Sequence, residues 1–423
     1  MRPRKTVASA IACVAALLAP LAVRAQSPSE PWQFEVRALL ARRAAAVVSG
    51  DERAFAATMG AAPQAFRTDR MTWLRRMRVL PIGVYRLDYT QEEYGELTRP
   101  IDRRRHPGSE VHVIQVKERI GFRGYDASPS DEDAFLTVEK DSRGWSVVAD
   151  DDLESLAMQT NRSLWDFGPV AKIEGGGVMV VFHPQERAAA VRILHSAQAA
   201  RAKVKRAWPI PWREERIVVM IPRTVDELAR ILQTTFDLST FVAFAATSVD
   251  RSTGGWRLSG ARVYLHWPNF RRQGETTQRV ILQHEFTHRA SFEVSGMYVP
   301  AFMDEGIAQY YGEEGFPHPV PELRVSVGTG RFDRHLADDY RFVVGPPPDI
   351  YLSYEKSIHF MTYVGSRYGR AAGARFYRAL GTENPVSPGT WRYHLDRACR
   401  AALNVSFATL ERDWAKTVTK ELS

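Results

Sequence analysis

The sequence predicts an α+β protein in two parts: an N-terminal helix plus antiparallel sheet module, then a domain with a small mixed sheet and a helical half. Three observations carry this. From Trp32 to about Ala57, Phe34, Leu39, Leu40, Val47, Val48 and Phe55 recur at helical spacing. From Val84 to Asp150 the apolar period shortens to two. After the glycine run Gly175–Gly177, short apolar runs alternate with helical ones, and helical patterns then continue almost to the end.

In order, the segments Val84–Tyr89, Val111–Phe122, Ala134–Lys140 and Trp145–Asp150 alternate like strands. Asp141-Ser142-Arg143-Gly144 supplies a turn between the last two. The α+β module is expected over residues 26–165. The loop and strand "EGGGVMVVFHP" (Glu174–Pro184) open the second part, expected over residues 175–420. There the order is strand, long helix (about Gln185–Trp208), strand (Arg216–Pro222), short helix (Val225–Leu232) and strand (Gly260–Trp267), then helices. No fixed-period repeat and no low-complexity tract interrupts the chain.

The chain has 423 residues, 44% hydrophobic and 25% charged, the composition of a globular protein. Arg2, Arg4 and Lys5 precede an apolar run from Val7 to Val23, and Val23-Arg24-Ala25 resembles a small-residue cleavage site. Residues 1–25 are therefore expected to be a signal peptide, cut before Gln26, with export to a periplasmic or extracellular location. Removing them takes four basic residues and no acidic one, so the formal charge falls from +8 to +4. That modest balance gives no ground for nucleic acid binding. No second apolar run reaches membrane length, so stable membrane insertion is not expected after the signal is removed. Of the two cysteines only Cys399 remains in the mature chain, which excludes an intrachain disulfide.

The stretch "VILQHEFTHRASFEV" (Val280–Val294) places His284 and His288 four residues apart. On an α-helix four residues advance about 400°, so both imidazoles leave one face, one turn apart, and can reach one zinc ion. Glu285 is rotated about 100° from the first ligand, within reach of the water to be activated without being a ligand itself. Chance alone produces such a match in on the order of one chain in a hundred of this length. A second helix, "FMDEGIAQYYGE" (Phe302–Glu313), supports it with Glu305 in its first turn. Two histidines and one carboxylate leave a fourth position open, the mark of a catalytic Zn2+ site, one ion per chain. Asp304 either orients a ligand or favours the helix N-terminus. His266, His335 and His359 are read as structural.

These motifs resemble the gluzincins, zinc metallopeptidases with an HExxH helix and a downstream glutamate, and more narrowly their peptidase-MA-like branch. The resemblance spans about residues 175–420 and implies a zincin-like domain, a hydrolase, and a peptide or protein substrate. It also implies metal ligands His284, His288 and Glu305, with Glu285 as general base. "LSYEKSIHFMTYVGSRYG" (Leu352–Gly369) is similar to the Ser-Tyr-x-Lys-Gly helix start of zinc aminopeptidases, which implies an oxyanion-binding role for Tyr354, with Tyr351 as its competitor. Ser357 stands where that family has glycine. The strand Ser259–Trp267 lacks the glutamate that holds a substrate's free amine in aminopeptidases, which implies an endopeptidase and a strand available for β-augmentation. The N-terminal module resembles nuclear-transport-factor-2 and SnoaL-like folds through element order and its Gly-Trp-x-Val-Val-x-Asp ending. A rival expectation is a catalytically inactive zinc-site protein that acts as a peptide-binding or scaffold module.

Overall fold

The computed structural model describes residues 30–97, 105–212, 216–250, 257–296, 299–382 and 391–423. The expected signal peptide, residues 1–25, lies outside them. The chain is α+β, with a four-stranded antiparallel sheet, a five-stranded mixed sheet and a helical C-terminal half.

The N-terminal module begins with α1 (Pro31–Ser49) and α2 (Glu52–Ala57). The sequence pattern suggests one helix here. Gly50 breaks it by adopting φ 68°, and Asp51 restarts it by accepting a hydrogen bond from Ala54 N at 2.9 Å. A further helix, α3 (Gln64–Met77), has no clear apolar stripe: only Trp73, Leu74 and Met77 are buried along it. Strands β1 (Ile82–Glu93), β2 (Glu110–Phe122), β3 (Glu132–Asp141) and β4 (Gly144–Ala149) follow in sequential antiparallel order.

The second sheet comprises β5 (Ala171–Gly175), β6 (Val178–Phe182), β7 (Ile217–Ile221), β8 (Ala243–Asp250) and β9 (Arg257–Leu265), in the order β5-β6-β7-β9-β8. Strands β6, β7 and β9 are parallel; β5 and β8 are antiparallel at the two outer positions. Both faces are covered, which is why β6 and β7 are apolar without alternation. Val178, Val180, Phe182, Ile217, Val219 and Leu265 pack towards α4 (Arg187–Ala207) and α6 (Glu275–Ser291). Met179, Val181, Val218 and Met220 instead join the core of the N-terminal module. The module thus seals the back of this sheet. Between α4 and α6 in sequence lies α5 (Val225–Ile231), and α7 (Ala301–Ile307), α8 (Pro321–Gly328), α9 (Pro347–Tyr368), α10 (Ala372–Thr382), α11 (Trp391–Leu403) and α12 (Phe407–Leu422) complete the helical half.

One expectation is corrected by this topology. The strand Ser259–Trp267 is essentially β9, bonded to β7 on one side and β8 on the other. It lies inside the sheet, and at Val263 and Tyr264 neither edge is open to a peptide. The outer strand is β8, which sequence reading missed.

The module also gathers a polar cleft that was not apparent in the sequence. Arg43, Arg70, Tyr85, Glu118, Asp150 and Arg162 line it. Its charges largely satisfy one another: Asp150 meets Arg70 at 3.1 Å and Arg162 at 2.9 Å, and Tyr85 donates to Glu118 at 2.7 Å. Burial pushes the Glu118 carboxyl up to about 7, against the pull of the Tyr85 hydrogen bond. The folded state therefore holds a proton there that the unfolded chain releases near pH ~4.3. Its stabilising contribution is present at low pH and is lost as pH rises towards about 7. Glu118→Gln keeps an acceptor for Tyr85 and removes the buried charge. It should raise stability at about pH 8 by on the order of 1 kcal/mol, with no gain at about pH 4.5, as read from urea unfolding midpoints.

Candidate metal centre

Helix α6 packs on the mixed sheet beside α4 and is covered further by the turn at Ala308–Gly312, and every residue from Ile281 to Ser291 is buried. His284 and His288 leave it one turn apart, and α7 brings Glu305 against them. His284 Nε2 lies 3.1 Å from His288 Nε2 and 3.2 Å from Glu305 Oε2; His288 Nε2 lies 3.8 Å from the same oxygen. Three atoms each about 2 Å from one tetrahedral ion stand roughly 3.3 Å apart, so the observed spacing fits a single metal ion. Among the described residues this is the one group of three or more such side chains that could hold a metal.

The outer ring nitrogens add a second fit. His284 Nδ1 sits 2.7 Å from Glu313 Oε1, and His288 Nδ1 sits 3.4 Å from Asp304 Oδ1. Carboxylates behind imidazoles fix the tautomer, leaving each Nε2 lone pair for the metal. Of the two roles open to Asp304, orienting a ligand is the one its position suits. Tyr377 in turn donates to Asp304 at 2.8 Å, and Ser291 donates to Tyr377 at 3.2 Å.

The electrostatics match a divalent cation. Burial opposes charge on the histidines, yet Glu305 and Glu313 hold His284 well above its ordinary range. The same balance of burial against Asp304 and Glu305 sets His288 at about 9. Burial would raise Glu305, but the two imidazoles bring it to about 2. The carboxylates thus favour positive charge on the imidazole pair, whose two Nε2 atoms meet at 3.1 Å, and a divalent metal would bring that charge in place of the protons held there.

Glu313 is the residue that sequence reading missed. Eight residues after Glu305, a regular α-helix would carry it about 80° past two full turns. The chain forms a π-turn over Ala308–Gly312, and the extra residue absorbed there removes about that excess. Close packing on α6 also needs Gly312, whose Cβ would stand 2.7 Å from Thr287 Oγ1 and 2.8 Å from the Gln283 carbonyl oxygen. A glycine just before the acid, at the end of "QYYGE", is the one signal in the sequence.

Glu285 is fully buried on the same helix, one residue beyond His284 and outside the group that could hold a metal. Tyr354 projects from α9 and is 5% exposed. Burial, with the nearby carboxylates of Glu305, Glu285 and Asp304, pushes its phenol well above the ordinary range, and its hydroxyl finds no hydrogen-bond partner among the described residues. A buried donor so placed is suited to an acceptor that arrives with substrate. Tyr351 is only half-buried, packed against the main core. Ser357 fits where a glycine was expected, its hydroxyl turned back to the Ser353 carbonyl at 2.8 Å.

The three histidines read as structural have partners elsewhere. His266 Nδ1 caps a short helix by accepting from Asn269 N at 3.3 Å. His335 pairs with Glu411, and His359 accepts from Trp414 Nε1 and meets Glu421.

No family model matches the chain, and comparisons with curated proteins and with solved structures find no match.

Proposed function

We propose that this protein is an exported zinc-dependent metallopeptidase of gluzincin type that cuts internal peptide bonds. The observation that carries the reading is the convergence of His284, His288 and Glu305 in one buried group, with Glu285 on the same helix and Tyr354 facing it. Zinc would be held by the Nε2 atoms of both histidines and by the Glu305 carboxylate, and supplies Lewis acidity towards carbonyl oxygen and water. Asp304 and Glu313 hold the imidazole rings in position from behind, a role worth about 10–100-fold in metal affinity. Glu285 takes a proton from the attacking water and passes it to the leaving amine. Tyr354 donates its hydroxyl hydrogen to the oxyanion that develops on the scissile carbonyl, a contact worth about 10²–10³ in rate.

Support for internal cleavage comes from the outer strand. Of the two outermost strands, β8 packs on α6 and β5 packs on α4, so β8 is the one beside the metal centre. An extended peptide would pair along it. Recognition of a free amine needs a carboxylate, since an unpaired buried cation is costly. The one carboxylate along β8 is its last residue, Asp250, at the opposite end from Ala243 and Ala245, which join the core of α6. Arg262, in the strand first considered for this role, turns to the back of the sheet, where it pairs with Asp126. N-acetylated and free peptides should be cut about equally, at internal bonds, in mass spectra of digests. Stepwise release of N-terminal residues, abolished by acetylation, would overturn the endopeptidase assignment.

A further inference from the structure

The N-terminal module does more than cover the sheet. The connection between β2 and β3, residues 123–131, and the first residue of β3 grip the β8–β9 hairpin at several points. Arg262 of β9 is 7% exposed; its Nη1 and Nη2 donate to Asp126 Oδ1 and Oδ2 at 2.6 and 2.7 Å. Its guanidinium also lies over the Phe122 ring, 4.5 Å from the centroid. Asp126 itself is fixed by accepting from Phe122 N at 2.7 Å. Gly260 N donates to the Ser128 carbonyl at 3.2 Å, and Gly260 takes φ +59°. A Cβ there would lie 2.5 Å from Ser130 Cα, so the two backbones meet only because this residue is glycine.

The grip extends to β8 itself. Ser248, 6% exposed, donates to Glu132. Its neighbour Thr247 donates to the Ser259 carbonyl at 2.8 Å, tying the two strands together at the same level. The β8–β9 register shifts between Ala246 and Ser248, an irregularity of the kind that bends a strand and re-aims the side chains beyond it. The opposite face of the hairpin, through Ala243, Ala245, Val263 and Leu265, belongs to the core that includes Phe286 of α6. The outer strand is therefore held between the metal helix in front and the module behind.

We infer that the segment Asp126–Glu132 is part of the substrate-binding apparatus: it sets the position of β8, with Asp126, Arg262, Glu132 and Ser248 as positioning residues for an extended peptide. This rests on the proposed peptidase function for the identity of the ligand. The hold on β8 does not. A strand that accepts a peptide along its edge must present its N–H and C=O groups in one register, and β8 has a neighbour strand on one side only. The contacts from the module supply the missing restraint. Glu132 and Asp126 lie outside the metal centre, so their removal should affect binding of the peptide more than the chemical step.

The test uses the full chain, with Ser248→Ala and the double variant Asp126→Leu/Arg262→Met, which removes both partners of the buried ion pair instead of stranding one. Hydrogen exchange of the β8 amides should accelerate by about tenfold in either, at unchanged zinc content. On an internally cleaved peptide, KM should rise about fivefold with kcat within about twofold of wild type. Unchanged exchange in β8 overturns the inference, whatever the activity. A fall in kcat at constant KM overturns it as well, since the residues would then act on the chemistry. Should the wild type cleave no peptide while β8 loosens in the variants, the peptidase reading fails and the hold on β8 stands. Should the double variant fail to fold, Ser248→Ala, which deletes a single hydroxyl, decides the matter alone.

Discussion

Glu285→Gln is expected to abolish peptide hydrolysis while zinc content and fold stay as in the wild type. The reason is position. Glu285 shares α6 with both histidines, is fully buried, and is not a member of the ligand group. The substitution keeps the shape and removes only the ability to accept a proton. A neutral amide is also cheaper to bury than a carboxylate, so stability should not fall. Loss of a general base costs about 10²–10⁴ in rate. Turnover near the wild-type value would place the base elsewhere and remove the mechanism proposed for this residue.

The second large effect is expected from the ligands. His288→Ala should lose most of the bound zinc, and His284→Ala/His288→Ala all of it, as measured by metal analysis of purified protein. Structure should suffer too. In the double variant Glu305, 2% exposed, keeps neither imidazole against it, and Asp304 loses His288 while retaining Tyr377. Breaking a buried pair by removing one partner destabilises by about 3–5 kcal/mol, so thermal unfolding should move to lower temperature even in metal-free samples. Stoichiometric zinc in the double variant would contradict the ligand assignment.

The candidate ligands were legible because their relation is local: a spacing of four on one helix and an acid at the start of the next. The rest of the site was hidden for physical reasons. Glu313 reaches His284 only through a π-turn, which no apolar period announces. Tyr377 reaches Asp304 across 73 residues, by packing of helices alone. The outer strand "AFAATSVD" is alanine-rich and short of β-branched residues, so its period carried little signal. Helix α3 went unread for the same kind of reason, with few apolar residues among its charges. For β6 and β7 the apolar run was visible, but an unbroken run cannot say which partner covers which face. That partner is the N-terminal module, whose Asp126 anchors Arg262 behind the sheet.

The central claim is that the buried histidines and Glu305 form a catalytic zinc centre. It is tested most directly by measuring peptide cleavage by the purified wild-type chain through one cycle of metal removal and return. The account predicts about one zinc per chain at the outset. It further predicts that cleavage is lost with a chelator and restored by stoichiometric zinc, with no recovery in Glu285→Gln. Cleavage that persists in protein shown to be free of metal would contradict it.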